Sequence, residues 1–152
     1  MENSSLIGTT QKLTNALVQK RASNRVVIAD KLEDSVEVLG ALLRSDMSIT
    51  VKTLYAAYCH QASIGHGDTD EVTSIIREHS SIDFSAVSKL SSLAAVSLKA
   101  FGRKVSEQYY GCTQAEKSYM NEIIKFVLTK RPSLGSIFDK CLTSSELKKI
   151  CS

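Results

Sequence analysis

A chain that meets a single proline, Pro132, and seven glycines in 152 residues has few points at which the backbone is made to turn. Folds built from many short strands need a turn about every ten residues, supplied largely by Gly, Pro, Asn and Asp. Helices with short connections fit this scarcity better, and cap residues followed by apolar side chains at a period of 3.6 place them.

Thr10 is positioned to cap a first helix with Leu13, Ala16 and Leu17 inward. Ser23 or Asn24 starts a second, in which Ile28, Leu32, Val36, Leu39 and Leu43 form one side and Asp30, Glu33, Asp34 and Glu37 the other. Ser48 caps a third, with Val51, Leu54, Tyr55, Tyr58 and Ala62 on its buried face. Gly65, His66, Gly67 and Asp68 read as a loop. Asp68 and Glu71 then have the spacing of a capping box ahead of Val72, Ile75 and Ile76, in a short helix ending near Ser80.

Asp83 caps a long fifth segment running to Gly111, in which Val87, Leu90, Ala94, Leu98, Phe101 and Val105 recur at helical spacing. Its serines, from Ser85 to Ser97, lower helix propensity, so tertiary packing must hold it. Gly102, inside the stripe, predicts a kink or a close contact with a neighbouring helix. Thr113 and Glu116 form a second candidate capping box before Met120, Ile123, Ile124, Val127 and Leu128, and Pro132 stops that helix. Ser133, and then Thr143 with Glu146, open two short final helices holding Ile137, Phe138 and Cys141, then Leu147 and Ile150.

The expectation is an all-α fold: a single compact globular helical domain or bundle of six to eight helices over residues 10–152, behind a flexible N-terminus at 1–9. A chain of this length can hide roughly 70% of its unfolded surface. Its 43% hydrophobic and 23% charged residues are globular rather than disordered proportions. No internal repeat, long heptad pattern or interdomain linker interrupts it. Tryptophan is absent and aromatics make up 6%, so the core must come from Leu, Ile, Val and Ala, and stacking platforms for single-stranded nucleic acid look scarce.

Residues 1–10 lack the basic cluster and apolar run of a secretory signal, and no stretch reaches the roughly eighteen apolar residues of a membrane span. Glu2 stands where myristoylation needs glycine, and Cys151 is out of register for prenylation. A soluble, intracellular protein, cytoplasmic by default, is expected, in which the Asn3-Ser4-Ser5 sequon is idle. Cys59, Cys112, Cys141 and Cys151 are widely spaced, without a CxxC pair, and read as free thiols.

Signatures for catalysis are missing: no Walker A loop, GxGxxG, GxSxG, HExxH or EF-hand loop occurs. The most metal-like neighbourhood is Cys59, His60, His66, Asp68 and Asp70, with His79 beyond, but its spacing is irregular for zinc, and a core thiol, a surface histidine and a polar turn account for it. A Cys-His-Asp set of Cys112, His60 and Asp68 has nothing local to assemble it. The expectation is therefore no catalytic residue, metal, cofactor or small-molecule substrate.

Charge carries more information. Residues 1–83 hold eight Lys/Arg against eleven Asp/Glu, whereas residues 84–152 hold eleven against five, an asymmetry that marks one half for a polyanion. Lys99 and Arg103 share a helical face with Lys104 beside them; Lys125, Lys130 and Arg131 gather late in the sixth predicted helix, and Lys148 and Lys149 follow. Arg21 and Arg25, with Lys12 and Lys20, form an N-terminal set free of acidic residues. Cations at helix C-termini also complement the dipole and keep a surface wet, which is the competing account. Tyr109 and Tyr110 are read as a helix end packing on the core in preference to a base-stacking pair.

Two functions follow. The first is a non-enzymatic interaction or regulatory protein that binds another protein or itself through a groove between helices. The second is an RNA- or DNA-binding protein using the basic C-terminal half, with Lys99, Arg103, Lys104, Lys125, Lys130, Arg131, Arg21 and Arg25 as its contacts. Compactness, abundant Ser and Lys and the lack of standard motifs suit a small viral packaging or regulatory protein.

Overall fold

The computed structural model describes residues 6–7, 9–10 and 32–152. Leu6–Ile7 and Thr9–Thr10, two residues each, pair in parallel register. Everything else regular is helical: α1 (Leu32–Arg44), α2 (Ile49–Ser63), α3 (Thr69–Arg77), α4 (Phe84–Val96), α5 (Leu98–Tyr109), α6 (Gln114–Lys130), a 3-10 helix (Pro132–Phe138) and α7 (Ser144–Cys151). The all-α expectation holds, with seven α-helices and one 3-10 helix among the described residues. The first predicted helix, from Thr10, and the start of the second lie outside them.

α2 is the centre of the fold and touches α1, α3, α4, α5 and α6. Its Val51, Leu54, Tyr55, Ala56, Ala57 and Cys59 are all buried, as suits a helix enclosed on most sides. α2 and α4 pack on one another, with Ser91 and Ala94 of α4 buried and Ser91 Oγ bonded to His60 and Gln61 of α2. Phe101, Phe138, Met120, Ile123 and Ile124 close the other half of the core, each contributing roughly 1.5–3 kcal/mol by leaving water.

Caps set most helix starts. Ser48 Oγ accepts from Val51 N at 3.2 Å, and Asp83 Oδ1 from Ser85 N at 2.9 Å. Both later capping boxes form, Thr113 with Glu116 at 3.1 and 2.9 Å and Thr143 with Glu146 at 3.1 and 2.8 Å. Glu116 does more than close its own box: its second oxygen, Oε2, accepts from Ser48 N at 2.8 Å, so one buried carboxylate satisfies the starts of α2 and α6 together. At the opposite kind of terminus, buried Lys52 donates through Nζ to the carbonyls of Leu43 at 3.2 Å and Ser45 at 2.5 Å. This places a cation at the C-terminal end of α1, where the dipole favours it.

Three expectations are corrected. The long fifth segment is two helices, because Ser97 takes φ −145°, ψ 89°, ending α4 and capping α5 through Oγ, which accepts from Ala100 N at 3.2 Å. The box at Asp68 does not form: the residue sits at φ −104°, ψ 15°, outside the extended region a side-chain cap requires, after Gly67 turns the chain at φ +80°. The helix assigned to Ser133 begins at Pro132, whose fixed φ suits a first helical position. Gly102 resolves as a close contact, since a Cβ there would lie 2.5 Å from Ile137 Cδ1 and 3.5 Å from Phe138 Cζ.

Candidate polyanion-binding cleft

Sequence spacing puts Tyr119, Glu122 and Phe126 on one stripe of α6, at i, i+3 and i+7. Packing brings that stripe against Tyr55 and Tyr58 of α2. Tyr55 stacks edge-to-face with Tyr58 and with Tyr119, each at 5.3 Å between ring centroids, and Tyr58 with Phe126 at 5.1 Å. Four of the nine aromatic side chains thus collect between two helices, a concentration that low overall aromatic content concealed. Above them opens a cleft of about 340 Å³, walled by Tyr58 and Phe126 and rimmed by His66, Lys125 and Lys130, with Glu122 in its lining.

Glu122 is 3% exposed. Its Oε1 accepts from the Tyr55 hydroxyl at 3.0 Å, while Oε2 is buried without a hydrogen-bond partner among the described residues. Burial pushes this carboxyl up to about 8, against the lowering pull of the Tyr55 hydroxyl and the Lys125 ammonium. At neutral pH Glu122 is therefore mostly a neutral acid and leaves the charge of Lys125 and Lys130 uncancelled. Burial likewise raises the Tyr55, Tyr58 and Tyr119 hydroxyls and the Cys59 thiol, so Cys59 stays protonated and unreactive.

The eight basic residues expected to contact a polyanion separate into three groups. Lys125, half-buried, and Lys130, exposed, share the cleft, and Arg131 follows immediately as the C-cap of α6. Lys125 also lines a second cleft, of about 630 Å³ between α6 and α7, together with Lys149 and the carboxylate of Glu146. Lys99, Arg103 and Lys104 are exposed on α5 and line neither cleft. Arg21 and Arg25 lie outside the described residues. His66 is a lining residue of the cleft that charge counting missed; its place in a glycine loop directly after α2 was the available signal.

The other constellations resolve differently. Among the described residues, no three His, Cys, Asp or Glu side chains converge as metal ligands, and Cys112, His60 and Asp68 are not assembled. His60 Nδ1 instead meets Ser91 Oγ at 2.8 Å, and that hydroxyl donates to Gln61 Oε1 at 3.2 Å, which leaves the imidazole as the donor to serine. Burial lowers His60, consistent with this neutral form. With Ser91 2% exposed, the pair is core polarity in place of an accessible nucleophile. Tyr109 packs into the core and donates to Asn121 Oδ1 at 2.8 Å, whereas Tyr110 is 62% exposed with its hydroxyl donating to the Lys140 carbonyl, so the expected packing holds for the first tyrosine and not for the second. All four cysteines are free. No helix among the described residues is long and apolar enough to cross a membrane.

Fold and site together define the class: an all-α domain with an aromatic-walled, basic-rimmed cleft between two of its helices. Comparison with protein-family models, with curated proteins and with solved structures returns no match.

Proposed function

We propose that this chain is a non-enzymatic helical binding protein whose working face is the basic line along α6, and that its partner is nucleic acid. The observation that carries this reading is the meeting of Lys125 and Lys130 on one cleft whose buried carboxyl is mostly neutral near pH 7. Phosphates attract such a rim by releasing their condensed counterions, and three cations engaging three phosphates of a single strand give a log–log salt slope of about −2. A non-enzymatic role is supported by the Cys59 thiol held protonated and by the burial of Ser91, the hydroxyl beside His60.

The test is binding of a labelled nucleic acid strand across a salt series, by wild type, by K125A/K130A/R131A and by K99A/R103A/K104A. The first variant is expected to lose most of the affinity and to flatten the salt slope, the second to lose less. Affinity that does not change with salt, or that survives the first variant intact, refutes the reading.

Association with a protein partner or a second copy is the other reading, favoured by Val96, 86% exposed at the end of α4. Light scattering across a concentration series tests self-association, and V96S is expected to weaken it. Single exposed apolar residues are common on monomers, so a constant mass equal to one chain removes its support.

A further inference from the structure

We infer that the α2–α6 cleft holds one unstacked nucleobase against Tyr58 and Phe126, with neighbouring phosphates on Lys125 and Lys130, so that the chain prefers single-stranded to duplex nucleic acid. This rests on the nucleic-acid reading above and specifies how the partner is recognised.

The cleft differs from a merely basic surface in three ways. Its walls are aromatic, and any base presents a π-face to such walls, whereas bases inside a duplex are already stacked and out of reach. Its volume of about 340 Å³ falls at the lower end of the range for small-molecule pockets, enough for one planar ring system and too small for a duplex. Its lining includes Glu122, whose Oε1 is occupied by Tyr55 and whose Oε2, shielded from solvent, has no partner among the described residues. Glu122 is thus a polar element beside the aromatic walls, over which the polar edge of a base lies.

Lys130 Nζ lies 5.3 Å from the centroid of Phe126, covering one face of that ring. A base arriving on that face displaces the ammonium, which has a phosphate of the same strand as its new partner; a weak cation–π contact is exchanged for a charge-assisted one. Lys125 and Lys130 are five residues apart on one helix, about 7.5 Å along its axis, and so reach different phosphates of one strand.

The test uses the full chain and fluorescence anisotropy with three probes of about ten nucleotides: a single strand, an abasic strand of equal length, and a duplex. The base-bearing strand is expected to bind about tenfold or more tightly than the abasic one, the usual scale of one stacked base. F126L is expected to shrink that difference, and E122Q to change the ranking of strands of different base composition. K99A/R103A/K104A is expected to leave the difference unchanged. Circular dichroism melting checks that the variants fold, and E122Q, which preserves side-chain size, carries the test should F126L not fold. An abasic strand or a duplex bound as tightly as the base-bearing strand overturns the cleft inference and leaves the nucleic-acid reading standing. No binding of any probe at low salt overturns both.

Discussion

Replacing Glu122 with glutamine removes an ionisable group from the interior while keeping its size and its ability to accept from Tyr55. In the folded chain this carboxyl titrates near 8 in place of the ordinary 4.5, chiefly because burial disfavours its charge. A carboxyl whose folded value is raised supports the fold fully below its unfolded value, and that support is lost as pH rises through the interval from 4.5 to about 8. At pH 7 the unfolded chain ionises freely and the folded chain does not, which costs on the order of 3 kcal/mol relative to pH 4. For a domain of this size that corresponds to roughly 6–12 °C in melting temperature.

E122Q escapes this cost. Urea or thermal unfolding from pH 4.5 to 8.5 is expected to show the two proteins nearly equal at the acid end and E122Q increasingly the more stable from about pH 5 upward, levelling off near pH 8. Subtracting one curve from the other removes the contributions of His60, His79 and Glu116, which titrate in both. Y55F, which deletes the hydrogen bond that the carboxyl accepts from Tyr55, is expected to extend the loss to higher pH. Wild-type and E122Q curves that stay parallel across the whole range would refute the assignment of Glu122 as a buried, high-titrating acid.

Glu116 has the opposite sign: burial works to raise it, but the N–H groups of Ser48 and Thr113 overcome this and hold it below the usual range, so its support is present at neutral pH and lost on acidification. E116Q is expected to cost about 1–3 kcal/mol in urea unfolding at pH 7, with the gap closing toward pH 3. At Gly102, G102A is expected to stay within about 1 kcal/mol of wild type, because improved helix propensity offsets the displacement of the flexible end of Ile137. G102V forces branched bulk toward the fully buried Phe138 and is expected to lower stability by about 2–3 kcal/mol in the same assay. S97A is expected to cost about 1 kcal/mol by uncapping α5, read as a lower melting midpoint.

Local chemistry was legible wherever a helix start depended on two side chains close in sequence. Thr113 with Glu116 and Thr143 with Glu146 were readable because the partners sit three residues apart and need nothing from the rest of the chain. Ser97 was not: the apolar stripe from Ala94 through Leu98 to Phe101 keeps its spacing across the break, and one serine among many carries no special mark. Asp68 failed for a related reason, since backbone angles next to Gly67, and not spacing, decide whether a carboxylate reaches the amides. Of the cleft, the late-α6 cations were legible from charge alone. Its walls were not, because Tyr58 and Phe126 stand 68 positions apart and meet only through the packing of α2 on α6. Glu122 left a faint trace, as an acid on a stripe shared with Tyr119 and Phe126.

The carboxylate of Glu116 ties together the beginnings of the two helices that border the cleft, while Tyr58, His66, Phe126 and Lys130 sit toward their far ends. The pair is therefore fastened at three levels, by Glu116 at the starts, by the Tyr55–Glu122 bond midway and by the Tyr58–Phe126 contact near the ends, so widening the mouth would first have to part those two rings.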